Sequence, residues 1–141
     1  MKNQSYQRVR PMGLHLMLTL IDCDKDRLQD YDKVFGLLKS LPGRIGMTLI
    51  PVDPNPTLFY CQQDEKNPDN IGFSGGCLLW ESHFTLHTWP VYDEVDLDIF
   101  SCYSFDTDKT IQYLIDFFKG TAVNISIVNR GNNGIIWNSG I

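Results

Sequence analysis

Apolar and polar positions recur along this chain with two different periods, and the changes of period mark out its elements. Gly13 to Ile21 is rich in Leu and Met and reads as a strand. Asp22 or Asp24 can cap a helix from about Lys25 to Ser40, in which Leu28, Tyr31, Phe35 and Leu38 fall at helical spacing. Leu41-Pro42-Gly43 is expected to stop that helix, and Met47 to Val52 reads as a second strand. Asp53 to Gly72 holds three of the seven prolines and many polar residues, which predicts a long surface loop of the kind that is often functional. Strand-like patterning returns in Phe73–Glu81, His83–Trp89 and Val95–Tyr103. Asp106 or Asp108 caps a second helix with Ile111, Leu114, Ile115 and Phe118 on its apolar face, and Gly120 suits its C-terminal end. Ala122 to Val128 is a last strand, followed by a Gly/Asn-rich tail. The order β-α-β-β-β-β-α-β predicts an α+β two-layer sandwich, a largely antiparallel sheet with two helices packed on one face.

Composition narrows what such a sandwich can do. A chain of 141 residues, 43% hydrophobic, suffices for one domain with a real core. Seventeen acidic residues against 12 basic ones give a formal charge of -5, which argues against a nucleic-acid partner and suits a cationic small substrate. No apolar run reaches bilayer-spanning length. Met1 to Pro11 is polar and basic and lacks the apolar centre of a signal peptide, so the expected address is the cytoplasm. Cys23, Cys61, Cys77 and Cys102 show no CxxC pairing or His-rich neighbourhood, so no metal is expected and most should be buried thiols.

Reactive side chains are densest in Glu81-Ser82-His83-Phe84-Thr85-Leu86-His87-Thr88-Trp89-Pro90, with Cys102 further on. Residue by residue this reads as a half-buried strand with a polar wet face. No GxSxG elbow surrounds Ser82, which disfavours a hydrolase triad. His83 and His87 lie four apart, but the residues between them favour a strand over a metal-binding helix. If Ser74 to Ser82 were continuously extended, their hydroxyls would stand about 26 Å apart. In an unbroken strand His87 would also face away from Ser82. Two chains could unite these groups where one could not, and an isologous dimer is the simplest assembly that does so.

Taken together, Glu81-Ser82-His83, Leu86-His87-Thr88-Trp89-Pro90 and a cysteine twenty positions after the serine closely resemble the small prokaryotic S-adenosylmethionine decarboxylase proenzymes, over roughly Gly13 to Val128. The resemblance implies a self-processing, pyruvoyl-dependent decarboxylase of polyamine biosynthesis. Ser82 would attack the Glu81 carbonyl and cut the chain between 81 and 82. The new C-terminal fragment would begin with a pyruvoyl group, which binds the substrate amine as a Schiff base. Ser74 and His87 would assist processing, and Cys102 would return a proton to the substrate. The resemblance also implies a homodimer in which Ser82 and Cys102 of one chain meet Ser74 and His87 of the other.

The departures from the family pattern bear on the substrate. Where the family holds the ribose with a glutamate after HTWP this chain has Val91, and where it stacks an aromatic on adenine the chain has Pro68. Trp89 remains, and Phe73 is a candidate replacement for the missing aromatic. Asp93, Glu94, Asp96 and Asp98 are the nearest acids that could hold a ribose or a cationic side chain. S-adenosylmethionine is the expected substrate. Arginine or ornithine on the same pyruvoyl scaffold is the alternative, and an uncleaved, inactive paralogue acting as a dimerisation or regulatory partner is the reading of another class.

Overall fold

The structure, a computed structural model, describes residues 13–62 and 65–130 in full and the backbone of Gly134–Gly140. The polar N-terminal segment lies outside the described residues. Strict alternation builds the centre of the fold. β1 (Leu14–Ile21) buries Leu14, Leu16, Leu18 and Leu20, and β5 (Glu94–Ser101) buries Val95, Leu97, Ile99 and Ser101. Because side chains alternate across a strand, His15, Thr19, Asp96 and Asp98 then share the opposite face. The remaining strands are β2 (Thr57–Gln62), β3 (Ile71–Leu79), β4 (Ser82–Trp89), β6 (Thr121–Asn129) and β7 (Gly134–Gly140). All pair antiparallel in one sheet of order β2-β3-β4-β5-β1-β6-β7.

Helices cover one face. α1 (Lys25–Leu28) contributes Leu28, α2 (Tyr31–Arg44) contributes Val34, Leu37, Leu38 and Leu41, and α3 (Thr107–Phe118) contributes Ile111, Leu114 and Phe118. These pack with the inward residues of the sheet into one core, as the two-layer α+β reading requires. The polar face carries Ser74, His83, Thr85, His87 and Trp89 beside the acids of β5.

Several boundaries differ from the sequence reading. The single helix expected over 25–40 is two, because both Asp24 and Asp30 act as N-caps: Asp24 accepts from the amides of Asp26 and Arg27, and Asp30 from that of Lys33. α2 also runs through Leu41-Pro42-Gly43, since Leu41 and Pro42 are buried in the core and that packing outweighs one missing amide donor. Met47–Val52 forms no strand of its own. It lies along the end of β3 through the Leu49–Leu79 bridge and hydrogen bonds from Trp80 to Thr48 and from Ile50 to Leu78. The long loop instead contains β2, whose close pairing with β3 needs Gly75, since a Cβ there would run into the Thr57 carbonyl. At the end of α3 the left-handed position falls on Lys119 (φ 52°); Gly120 is required because a Cβ would sit 2.6 Å from Cys23 Sγ. The Gly/Asn-rich tail forms β7 on the free edge of β6.

Candidate active site

β3 and β4 form a hairpin in which Leu79 pairs with Ser82, so Trp80 and Glu81 are the two residues of the turn. The Glu81–Ser82 peptide bond therefore sits at the hairpin tip. Glu81 is held from both sides. Its carbonyl oxygen accepts the Cys102 amide N–H at 3.0 Å, and its carboxylate Oε2 accepts the Thr48 amide at 2.9 Å. Ser82 is half-buried, lies opposite the fully buried Ser101, and has a φ of 158°. Cys102, also half-buried, directly follows Ser101. One end of the hairpin thus gathers Glu81, Ser82 and Cys102.

Ser74 and His87 meet farther along the same hairpin. They are direct cross-strand partners, and Ser74 Oγ lies 2.8 Å from His87 Nδ1. Cys61 Sγ on β2 donates to the same Oγ at 3.2 Å. Five residues of β4 separate His87 from Ser82, about 17 Å at the usual strand rise. The two also have opposite parity, Ser82 with buried Phe84 and Leu86, His87 with the exposed row. The continuous extension from Ser74 to Ser82 does not occur, because the chain reverses at Trp80-Glu81. Within one chain the Ser74–His87 pair therefore lies well apart from the hairpin end that holds Glu81, Ser82 and Cys102.

Trp89 sits on the polar face beside His87, with ring centroids 6.3 Å apart. Its indole N–H donates to Asp96 Oδ2 at 3.1 Å, while Asp96 Oδ1 accepts from Thr19 Oγ1 at 2.7 Å. Phe73 must be corrected as a substrate-facing aromatic. It is 1% exposed and packs edge-on against Tyr31 and Tyr60, because the neighbour of Ser74 in a strand points to the opposite face. Phe59, in register with Ser74, is exposed, as is its neighbour Tyr60. Pro68 lies exposed in the β2–β3 connection, and Val91 is half-buried in a short 3-10 turn after β4.

The four acids have different partners. Asp93 lies 3.8 Å from the Lys25 ammonium, Asp98 is 2.7 Å from His15 Nε2, and Asp96 holds Trp89 and Thr19. Glu94 stands directly opposite Trp89 in the β4–β5 register. Its carboxyl is raised above the usual range, first by burial and then by the adjacent Asp96 carboxylate. His83 is lowered from its usual value, first by burial and then by His15. All four cysteines are free, and burial pushes the Cys23 and Cys77 thiols up to about 12. Among the described residues no three metal-ligating side chains cluster, and no helix is long and apolar enough to cross a membrane.

Cys61 is the site residue that sequence reasoning missed. The expectation that most of the four cysteines are buried thiols does not single it out, and its nearness to Ser74 follows from the β2–β3 register, for which the sequence carries no local signal.

The fold is thus an antiparallel α+β sandwich with the Glu81–Ser82 bond at a hairpin tip and the Cys102 amide on its carbonyl. The family model for S-adenosylmethionine decarboxylase matches residues 14–131, and the chain belongs to that family of decarboxylases. It is 31% identical over 121 residues to an S-adenosylmethionine decarboxylase proenzyme of Thermodesulfovibrio yellowstonii, covering 85% of this chain and 82% of that protein. A proenzyme of the same name from Clostridium botulinum strain Loch Maree is 34% identical over 120 residues, covering 84% and 94%. One from Thermosipho africanus is 30% identical over 125 residues, covering 87% of each. The fold matches the crystal structure of the adenosylmethionine decarboxylase from Aquifex aeolicus VF5 with a TM-score of 0.64 at 24% identity, covering 91% of this chain and 98% of that one.

Proposed function

We propose that this chain cuts itself between Glu81 and Ser82, converts Ser82 into a pyruvoyl group, and decarboxylates S-adenosylmethionine in polyamine biosynthesis. The observation that carries the reading is the Cys102 amide on the Glu81 carbonyl. Attack of Ser82 Oγ on that carbonyl carbon turns the oxygen into an oxyanion, and a donor already in place stabilises the developing charge. Collapse transfers the acyl group from nitrogen to Oγ and leaves an ester. Removal of the Ser82 α-proton breaks the Cβ–O bond and frees the Glu81 carboxylate. One water then replaces ammonia at Cα, so the fragment 82–141 begins with a ketone and the fragment 1–81 ends with Glu81.

The half-buried hairpin tip suits that group, since it shelters a reactive carbonyl while leaving a side open to substrate. The pyruvoyl group supplies an electron-accepting carbonyl for the pair released with CO2. Cys102 is the nearby acid that returns a proton to the substrate carbon. Ser74 and His87 complete the site from the partner protomer of a homodimer, which the distance between the half-sites favours and which leaves His87 as the base for the Ser82 α-proton. The four free thiols suit a cytoplasmic, reducing setting.

The names of the relatives favour S-adenosylmethionine over arginine or ornithine. Trp89, fixed by Asp96, offers a flat surface for adenine. Glu94, opposite Trp89, takes the place of the carboxylate missing at Val91 and binds the ribose hydroxyls. The intact cleavage set speaks against an inactive paralogue. The test is the fragment pattern of the purified protein together with CO2 release from S-adenosylmethionine. A full-length chain without activity would overturn the reading.

A further inference from the structure

Ser101 is 0% exposed, yet it carries a hydroxyl that the proposed reaction does not use. A serine Oγ has one hydrogen and two acceptor positions. The Tyr103 amide fills one acceptor position at 3.0 Å, and among the described residues the hydrogen meets no acceptor. A buried donor left in that state is costly and calls for an explanation. The strand register supplies one. Ser101 stands between Leu14 on β1 and Ser82 on β4, and its diagonal neighbours on those strands are Leu16 and Phe84. Of these four side chains only Ser82 is polar. The bond from the Cys102 amide to the Glu81 carbonyl makes 81 and 102 a hydrogen-bonded pair. Ser82 and Ser101 are then the adjoining non-hydrogen-bonded pair, the kind whose Cα atoms approach to about 4.5 Å. Ser101-Cys102 thus sets an amide on the carbonyl under attack and a hydroxyl beside the attacking serine.

We propose that Ser101 is a catalytic residue of self-cleavage: its hydroxyl donates to Ser82 Oγ in the ester and as that oxygen leaves Cβ. The bond is absent from the uncleaved chain and forms when Ser82 Oγ joins the Glu81 carbon. Its effect is largest in the elimination. There the electron pair of the Ser82 Cα–H bond becomes the second Cα–Cβ bond, and the Cβ–O pair leaves with the Glu81 carboxylate. The departing oxygen gains negative charge, and a donor already beside it stabilises that charge. Ser101 keeps its own proton throughout. The assignment rests on the cleavage reading above.

The test follows cleavage by mass, with and without hydroxylamine, in chains whose fold is checked by circular dichroism. Ser101→Ala and Ser101→Val should slow formation of the pyruvoyl fragment about 10- to 100-fold, what a hydrogen bond to a charged group is worth. The ester should accumulate in both. Hydroxylamine attacks the ester carbonyl, leaving a hydroxamate on Glu81 and a fragment 82–141 that begins with Ser82 and a free amine. Ser101→Thr has the shape of valine but keeps the hydroxyl, and it should process near the wild-type rate. Should the valine variant fail to fold, alanine against threonine decides. Variants without the hydroxyl that keep pace with threonine overturn the assignment. So do folded variants that stall as full-length chains resistant to hydroxylamine, since Ser101 would then serve only the turn it ties through Tyr103. A wild-type chain that stays intact overturns the cleavage reading itself, and the assignment falls with it.

Discussion

Replacing Cys102 with proline removes the amide that holds the Glu81 carbonyl, whereas Cys102→Ala removes only the thiol. The contact at stake is the 3.0 Å hydrogen bond from Cys102 N to Glu81 O. If it acts as an oxyanion donor, its loss should slow cleavage by about 100- to 1,000-fold, roughly 2.7–4 kcal/mol of transition-state stabilisation. The ground-state cost is smaller, about 1 kcal/mol for one hydrogen bond at a strand end. Ser101, being in a strand, already has the extended backbone that a following proline demands. The Cys102→Pro chain should therefore fold with a modestly lower Tm and remain almost uncleaved. Cys102→Ala should still process at least in part but lose most turnover. The assay is a time course of fragment 82–141 by mass spectrometry, with circular dichroism and thermal melts as the folding check. A folded Cys102→Pro chain that cleaves as fast as Cys102→Ala would refute the oxyanion argument.

Co-expressed Cys102→Ala and His87→Ala chains should regain activity as mixed dimers, because shared sites leave one working site of two. No recovery in confirmed mixed dimers would mean that each chain carries its own site. Val91→Glu should raise turnover of S-adenosylmethionine and Glu94→Gln should raise its KM, measured in a CO2-release panel with arginine, ornithine and lysine. Efficient release from ornithine or arginine instead would reassign the substrate. His83 predicts a pH effect. Its folded value lies below 6.5, so the unfolded chain binds the extra proton first; stability is full above 6.5 and falls as pH drops toward the folded value. His83→Gln should flatten that part of the Tm curve, and an identical curve would contradict the assignment.

Central strands were legible in the sequence because alternation and burial agree there: Leu14 to Leu20 and Val95 to Ile99 leave little choice of face. The margins were not. β2 hides in a proline-rich segment, and its residues become a strand only because β3 offers an edge with three glycines to pair against. Met47–Val52 has strand composition but settles for a single bridge, and α2 overrides a Pro-Gly stop because Leu41 and Pro42 are buried. The resemblance carried by Glu81-Ser82-His83, His87-Thr88-Trp89-Pro90 and Cys102 supplied the candidate site residues, but their grouping depends on the hairpin turn and the pairing register. That is why Ser74 lies beside His87 and not Ser82, why Phe73 points into the core, and why Cys61 went unnoticed.

The central claim is cleavage at Ser82, and the intact mass of the purified protein tests it most directly. The account predicts two fragments, 1–81 and 82–141, the second blocked to amine chemistry and reactive toward ketone reagents, while Ser82→Ala stays full length. A wild-type chain that keeps its full 16.2 kDa mass after prolonged incubation would contradict the account.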